Sequence, residues 1–155
     1  MLQRLLMRKQ FAKRLQPTDA AYLAGLIDGE GTITLSRRHA NERRQVVVSV
    51  VSTEREIVTW IIVAVGAGKV TRKRTVSSRH APSFTYSISN RQALDLLAQA
   101  APHLRSYKRH RARLVLDRYV ALTPRNGKYS PDLSGARAQF EREFLALKPS
   151  TLESQ

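Results

Sequence analysis

The chain has no cysteine among its 155 residues. That excludes a disulfide framework and a thiolate metal site, and it suits an intracellular setting, a bacterial cytoplasm or an organelle. Aromatic residues are scarce at 6%. No apolar run approaches the roughly 20 residues that cross a bilayer, so a membrane is not an expected partner. Acids are the other shortage: 12 Asp and Glu stand against 27 Lys and Arg, a net charge of +15. A basic excess of that size excludes a cationic partner and points to a polyanion, of which nucleic acid is the commonest.

What is present is enough for one domain with its own core, at 42% hydrophobic residues. Residues 1–16, MLQRLLMRKQFAKRLQ, contain no acid. They read either as an organellar transit peptide or as a basic helical arm that touches phosphate. Residues 17–147 read as the domain and 148–155 as a flexible tail.

After Pro17, Thr18 is placed to cap a helix over 19–28, with Tyr22, Leu23, Leu26 and Ile27 at helical spacing and Gly29 and Gly31 as its stop. TITLSRR alternates, with Ile33 and Leu35 on one side, and is a half-buried strand. RQVVVSVVS is a second strand, rich in β-branched residues. TEREIVTWIIVAV, capped by Ser52 or Thr53, reads as a helix, with strand as the competing reading because Val and Ile are frequent. KVTRKRT and SFTYSIS are strands three and four. RQALDLLAQA is a helix that Pro102 ends, SYKRHRARLVLDRYVALT is the next, and GARAQFEREFLAL closes the chain. The order α-β-β-α-β-β-α predicts an α+β fold: a four-stranded antiparallel sheet with helices on one face and the other open.

Period two then assigns side chains to that open face. With Ile33, Leu35, Val70, Phe84, Tyr86 and Ile88 turned toward the helices, Thr34, Ser36 and Arg38 point outward, as do Thr71, Lys73, Thr85, Ser87 and Ser89. Arg44, before the second strand, joins them as a candidate. These are hydrogen-bonding and cationic side chains of the kind that read base edges and phosphates; an ordinary solvated face carries the same types. The second strand gives no clean alternation, because Val46, Val47, Val48, Val50 and Val51 are all apolar. His39, His80, His103 and His110 show no ligand spacing and read as surface residues.

Two acids break the pattern of a basic chain. They lie in LAGLIDGEG, Leu23–Gly31, as Asp28 and Glu30. This stretch resembles the motif that names the LAGLIDADG homing endonucleases, with Gly29 in place of Ala and Glu30 in place of Asp. The strand and helix order extends the resemblance over residues 18–122. One motif copy is present, as in the members that act as homodimers. The resemblance implies the αββαββα homing-endonuclease fold with DNA on the open sheet face. It also implies a metal-dependent endonuclease that makes a double-strand break in a long, partly palindromic double-stranded DNA target, with no small-molecule substrate. Glu30 and the backbone carbonyl of Gly29 would hold Mg²⁺; Mn²⁺ would substitute, and Ca²⁺ would bind without turnover. Leu23, Ala24, Gly25 and Ile27 would form the dimer interface. Thr53 and Arg55 match catalytic positions after the second strand, and Lys108 matches the basic residue that orients water or offsets phosphorane charge. Asp28 reads as structural. The alternative on the same fold is a non-catalytic binder, a group I intron RNA maturase or a transcriptional regulator.

Overall fold

The computed structural model describes residues 11–73 and 81–150. Its order is α1 (Pro17–Glu30), β1 (Gly31–Ser36), β2 (Gln45–Ser52), α2 (Arg55–Val65), β3 (Lys69–Lys73), β4 (Ser83–Ser89) and α3 (Asn90–Ala100). A 3-10 turn (Ala101–His103), α4 (Lys108–Arg118) and α5 (Pro131–Ala146) follow. The strands form one antiparallel sheet in the order β1-β2-β4-β3. Helices cover one face of it, as the alternation predicts. None of the described helices is long and apolar enough to cross a membrane.

Several boundaries differ from expectation. Pro17 does not precede the first helix but opens it, at the position where its missing N–H costs nothing; the cap residue is Gln16, not Thr18. Neither Gly25 nor Gly29 stops α1, which runs on through Glu30. Burial of Ala20, Leu23, Ala24 and Ile27 holds the helix together, so local propensity does not decide its length. The stop comes at Gly31, whose N–H bonds the Ile27 carbonyl as the chain turns into β1. A Cβ at Gly31 would lie 2.7 Å from the Ile27 Cα and 2.8 Å from the Ser49 carbonyl oxygen, so the helix end meets β2 only through a glycine. For α2 the cap is Glu54; the Ser52 hydroxyl instead accepts the Glu54 N–H at 3.0 Å. Helix α5 starts four residues earlier than expected, at Pro131, because the Ser130 side chain accepts the Leu133 N–H.

The expected arm is partly fold. The Ala12 N–H bonds Asp95 at 2.9 Å, the Lys13 N–H bonds the Val65 carbonyl at 2.7 Å, and the Leu15 N–H bonds Gln99 at 2.7 Å. Residues 12–15 are thus strapped to α2 and α3. Residues 1–10, 74–80 (with His80) and 151–155 lie outside the described residues.

The core lies between sheet and helices. Ile33 and Leu35 of β1, Val46, Val48 and Val50 of β2, and Tyr86 and Ile88 of β4 meet Val58, Ile61, Leu96, Leu97, Val115, Phe140 and Phe144. One cation is buried there. Arg137, 1% exposed, donates to the Thr123 hydroxyl and the Arg44 carbonyl, both at 2.5 Å, and stacks 4.7 Å from the Tyr119 ring centre. It fastens α5 to the start of β2 and to the loop after α4.

Candidate nucleic-acid interface and acidic centre

The strand register decides the open face. Ile33↔Val48↔Ile88 and Gly31↔Val50↔Tyr86 are inward rows. Alternating with them, Thr34↔Val47↔Ser89, Thr32↔Ser49↔Ser87↔Lys69 and Val51↔Thr85↔Thr71 are outward rows, and Lys73↔Ser83 lies at the β3 end. Thr34, Ser36, Thr71, Lys73, Thr85, Ser87 and Ser89 therefore share the face to which alternation assigns them. Arg38 is exposed in the turn after β1.

Arg44 departs from expectation. It is half-buried, its guanidinium donates to the Leu35 carbonyl at 3.4 Å, and its N–H bonds Glu141 at 3.0 Å. One residue before outward-facing Gln45, it turns toward the join with α5. Thr32 shares the face of Thr34, as alternation places it, and Lys69 shares that of Thr71 and Lys73, though it was not among the candidates. Gln45 and Ser49 were missed because they lie on the valine-rich second strand, whose faces only the pairing partners decide. Sequence reasoning also missed Arg37 and Arg43 in the β1–β2 turn. Arg43 lies 4.6 Å over the Tyr129 ring and donates to the Ser134 hydroxyl at 2.5 Å. With Arg38, Lys69, Ser89 and Tyr129 these residues line an open groove of about 1140 Å³ at the far end of the sheet. The described residues contain two ion pairs, Arg118–Glu143 and Arg137–Glu141, so most of the positive charge stays uncompensated.

The acidic centre is at the opposite end of β1, where α1 finishes. Asp28 and Lys108 make a reciprocal clasp there, 80 residues apart in sequence. Asp28 accepts the Arg105 N–H at 2.9 Å, the Ser106 N–H at 3.1 Å and the Ser106 hydroxyl at 2.5 Å, which fastens the segment that leads into α4 to the end of α1. Lys108 is buried, and its ammonium donates to the Ile27 and Asp28 carbonyls, each at 2.8 Å. It so caps the C-terminus of α1. Burial opposes the Asp28 charge, but the Ser106 and Arg105 hydrogen bonds and the Lys108 charge overcome it and hold the carboxyl below its ordinary value. Burial pulls the Lys108 pKa down; the charges of Asp28 and Glu30 push it back up, and Arg111 adds to the lowering.

The clasp leaves Glu30 over. Its carboxylate is exposed and makes no hydrogen bond or ion pair among the described residues, although it is near enough for its charge to act on Lys108. With the Ile27 and Asp28 carbonyls taken, the Gly29 carbonyl is the acceptor next to it. An unpaired acid at the negative end of a helix is unfavourable unless something positive is bound. Carboxylate and carbonyl oxygen form a hard donor set that suits Mg²⁺ or Ca²⁺. No group of three or more His, Cys, Asp or Glu that could hold a metal ion occurs among the described residues. Because Gly31 pairs with Val50, Thr53 and Arg55 come to the same end of the sheet as Glu30; both are exposed and neither side chain is hydrogen bonded among the described residues.

The expected dimer residues need correction. Leu23, Ala24 and Ile27 are 0–1% exposed within the protomer, because they are the core-facing stripe of α1. A second chain cannot bury them further. Gly25 is exposed, with Ala21, Tyr22 and Gly29 beside it, and an added Cβ at Gly25 or Gly29 would meet no atom within 4 Å. Tyr22 packs edge-on against Trp60 of α2, with ring centres 4.9 Å apart. The outer face of α1 is therefore bare of large side chains along a line that leads to Glu30.

No protein-family model matches the chain, and no curated protein matches it. Solved structures do. The chain is similar to the homing endonuclease I-CvuI in complex with the I-CreI target in the presence of 2 mM Mg. The TM-score is 0.69 and the identity 21%, over 88% of this chain and 86% of that one. It is similar to the archaeal intron-encoded homing endonuclease I-Vdi141I complexed with DNA, with a TM-score of 0.58 and 14% identity over 89% of each chain. The LAGLIDADG meganuclease I-AabMI bound to uncleaved DNA also matches, with a TM-score of 0.57 and 19% identity; 86% of this chain covers 46% of that one. The fold is that of the homing endonucleases, present here in one copy.

Proposed function

We propose that the chain is one protomer of a homodimeric, divalent-cation-dependent endonuclease that cuts double-stranded DNA at a specific site. The observation that carries this reading is the free Glu30 carboxylate. It lies at the end of a helix whose outer face is bare, at the edge of a polar sheet face, in a chain of net charge +15.

Each part has a chemical task. The outward rows of the sheet and the basic groove residues hold phosphates and base edges. The small outer face of α1 lets two copies of the helix pack side by side about a two-fold axis, which brings two Glu30 carboxylates together. Two acids held close repel unless a cation bridges them. Glu30 and the Gly29 carbonyl of each protomer would hold Mg²⁺, with Mn²⁺ as a substitute and Ca²⁺ as a binding-only ion. A cation held there would supply the acidification of water and the offset of charge on the leaving oxygen. Lys108 holds the end of α1 through two carbonyls, and so positions Glu30. Thr53 and Arg55 stand at the same end, where they would meet water or phosphate.

The test is a matched pair of measurements on Glu30→Gln: affinity in Ca²⁺ and cleavage in Mg²⁺. Affinity should be unchanged or slightly improved, since an acid facing phosphate is repulsive without a cation, while cleavage should be abolished. Cleavage at the wild-type rate by Glu30→Gln would place the metal site elsewhere. Tight sequence-specific binding by the wild type without cleavage under any divalent cation would make the chain a regulator or maturase.

A further inference from the structure

The open sheet face is built of hydroxyls, lysines and Gln45, with two apolar exceptions, Val47 and Val51 of β2. Val51 is 41% exposed and Val47 is half-exposed, and both lie in outward rows, Thr34↔Val47↔Ser89 and Val51↔Thr85↔Thr71. Their neighbours across the sheet all carry hydroxyls, so each valine stands as an apolar point in a polar surface. β2 is a central strand, between β1 and β4; Val47 is flanked by Thr34 and Ser89, and Val51 stands near the β2 end that adjoins Glu30. Ser49 lies between them, and its hydroxyl is engaged at 2.6 Å by Thr32.

A valine has no donor or acceptor, so it reads neither a phosphate nor the hydrogen-bonding edge of a base. The major groove offers one apolar feature, the C5 methyl group of thymine. We propose that Val47 and Val51 are thymine-methyl contacts, which give the target of this chain thymine at two defined positions in each half-site. The inference rests on the DNA-binding reading above and names a feature of its substrate. Four residues of extended strand span about 14 Å, and base pairs stack at about 3.4 Å, so the two positions should be about four base pairs apart. Removing one buried methyl group should weaken binding about fourfold.

The experiment starts from the full chain in Ca²⁺. A duplex is enriched by binding from a randomised library, then resynthesised with deoxyuridine in place of thymidine at one position at a time, which deletes one methyl group and nothing else. The wild type should lose about fourfold in affinity at two positions per half-site, roughly four base pairs apart. Val47→Ala should erase the sensitivity at one position and Val51→Ala at the other. Both variants should melt like the wild type, since neither valine is in the core. If no position responds to deoxyuridine, or if the variants keep the wild-type pattern, the valine assignment is overturned while the DNA reading stands. If the library enriches no sequence, both fall together.

Discussion

Replacing Asp28 by Asn tests the clasp directly. The carboxylate accepts three hydrogen bonds, from the Arg105 N–H, the Ser106 N–H and the Ser106 hydroxyl. An amide of the same size keeps one acceptor oxygen, which still serves Ser106. Its NH₂ group turns to the Arg105 N–H, donor against donor. One charge-assisted hydrogen bond is lost and one N–H left unpaired, and the attraction to Lys108 goes as well. Hydrogen bonds to charged groups contribute about 1.5–3 kcal/mol, and Asp28 is partly solvated, so the net loss should be about 2–3 kcal/mol. For a domain of this size that lowers the midpoint of thermal unfolding by roughly 5–10 °C. The deficit should depend on pH with a defined sign. The folded pKa of Asp28 is depressed, so its stabilisation is present above the unfolded value of 3.8 and is lost as pH falls through the folded pKa. Wild type and Asp28→Asn should therefore converge in acid. The assay is circular-dichroism melting at fixed protomer concentration, at pH 7 and at steps below pH 4. A midpoint within a degree of wild type at pH 7, or a deficit that persists unchanged in acid, would refute the assignment of Asp28 as a structural acceptor.

Two further outcomes are expected. Lys108→Met keeps the apolar stem but removes both bonds to α1. The Ile27 carbonyl retains the Gly31 N–H, so the exposed loss is mainly at Asp28 and should be about 2 kcal/mol by chemical denaturation at pH 7. The folded pKa of Lys108 lies below the unfolded 10.5, so the cost of burying its charge is relieved as pH rises through the folded pKa; the wild-type advantage should grow on approach to pH 10.5 and would stay flat if the ammonium were solvated. Gly25→Leu should not harm the protomer, because its Cβ meets nothing, and should add up to about 1 kcal/mol of helix propensity. The same change should abolish association in sedimentation and DNA binding with it; a dimer of wild-type affinity would show that the outer face of α1 is not the interface.

Much of the fold was legible because periodicity is local. The alternation in β1 and β4 placed Thr34, Ser36, Thr85, Ser87 and Ser89 on the open face without any partner strand. The αββαββα order followed from apolar runs separated by turn residues. Boundaries were less legible. Pro17 and Gly29 carry strong local signals, but burial of Ala20, Leu23, Ala24 and Ile27 extends α1 past both of the expected ends.

The residues of the acidic centre were readable as a motif, and their division of labour was not. Nothing in LAGLIDGEG distinguishes Asp28, which is consumed by Arg105 and Ser106, from Glu30, which is left free; the hydrogen bonds that do so span 77 and 78 residues. The sequence by itself determined charge, helix and strand order, and the outward side of every strand with clean alternation, since each depends on composition or on neighbours two to four positions away. Only the tertiary structure decided which side of α1 is core, which valines of β2 face out, and that Lys108 closes the end of α1. Those depend on which distant segment a residue meets, and an apolar or charged side chain looks the same in the sequence whichever segment that is.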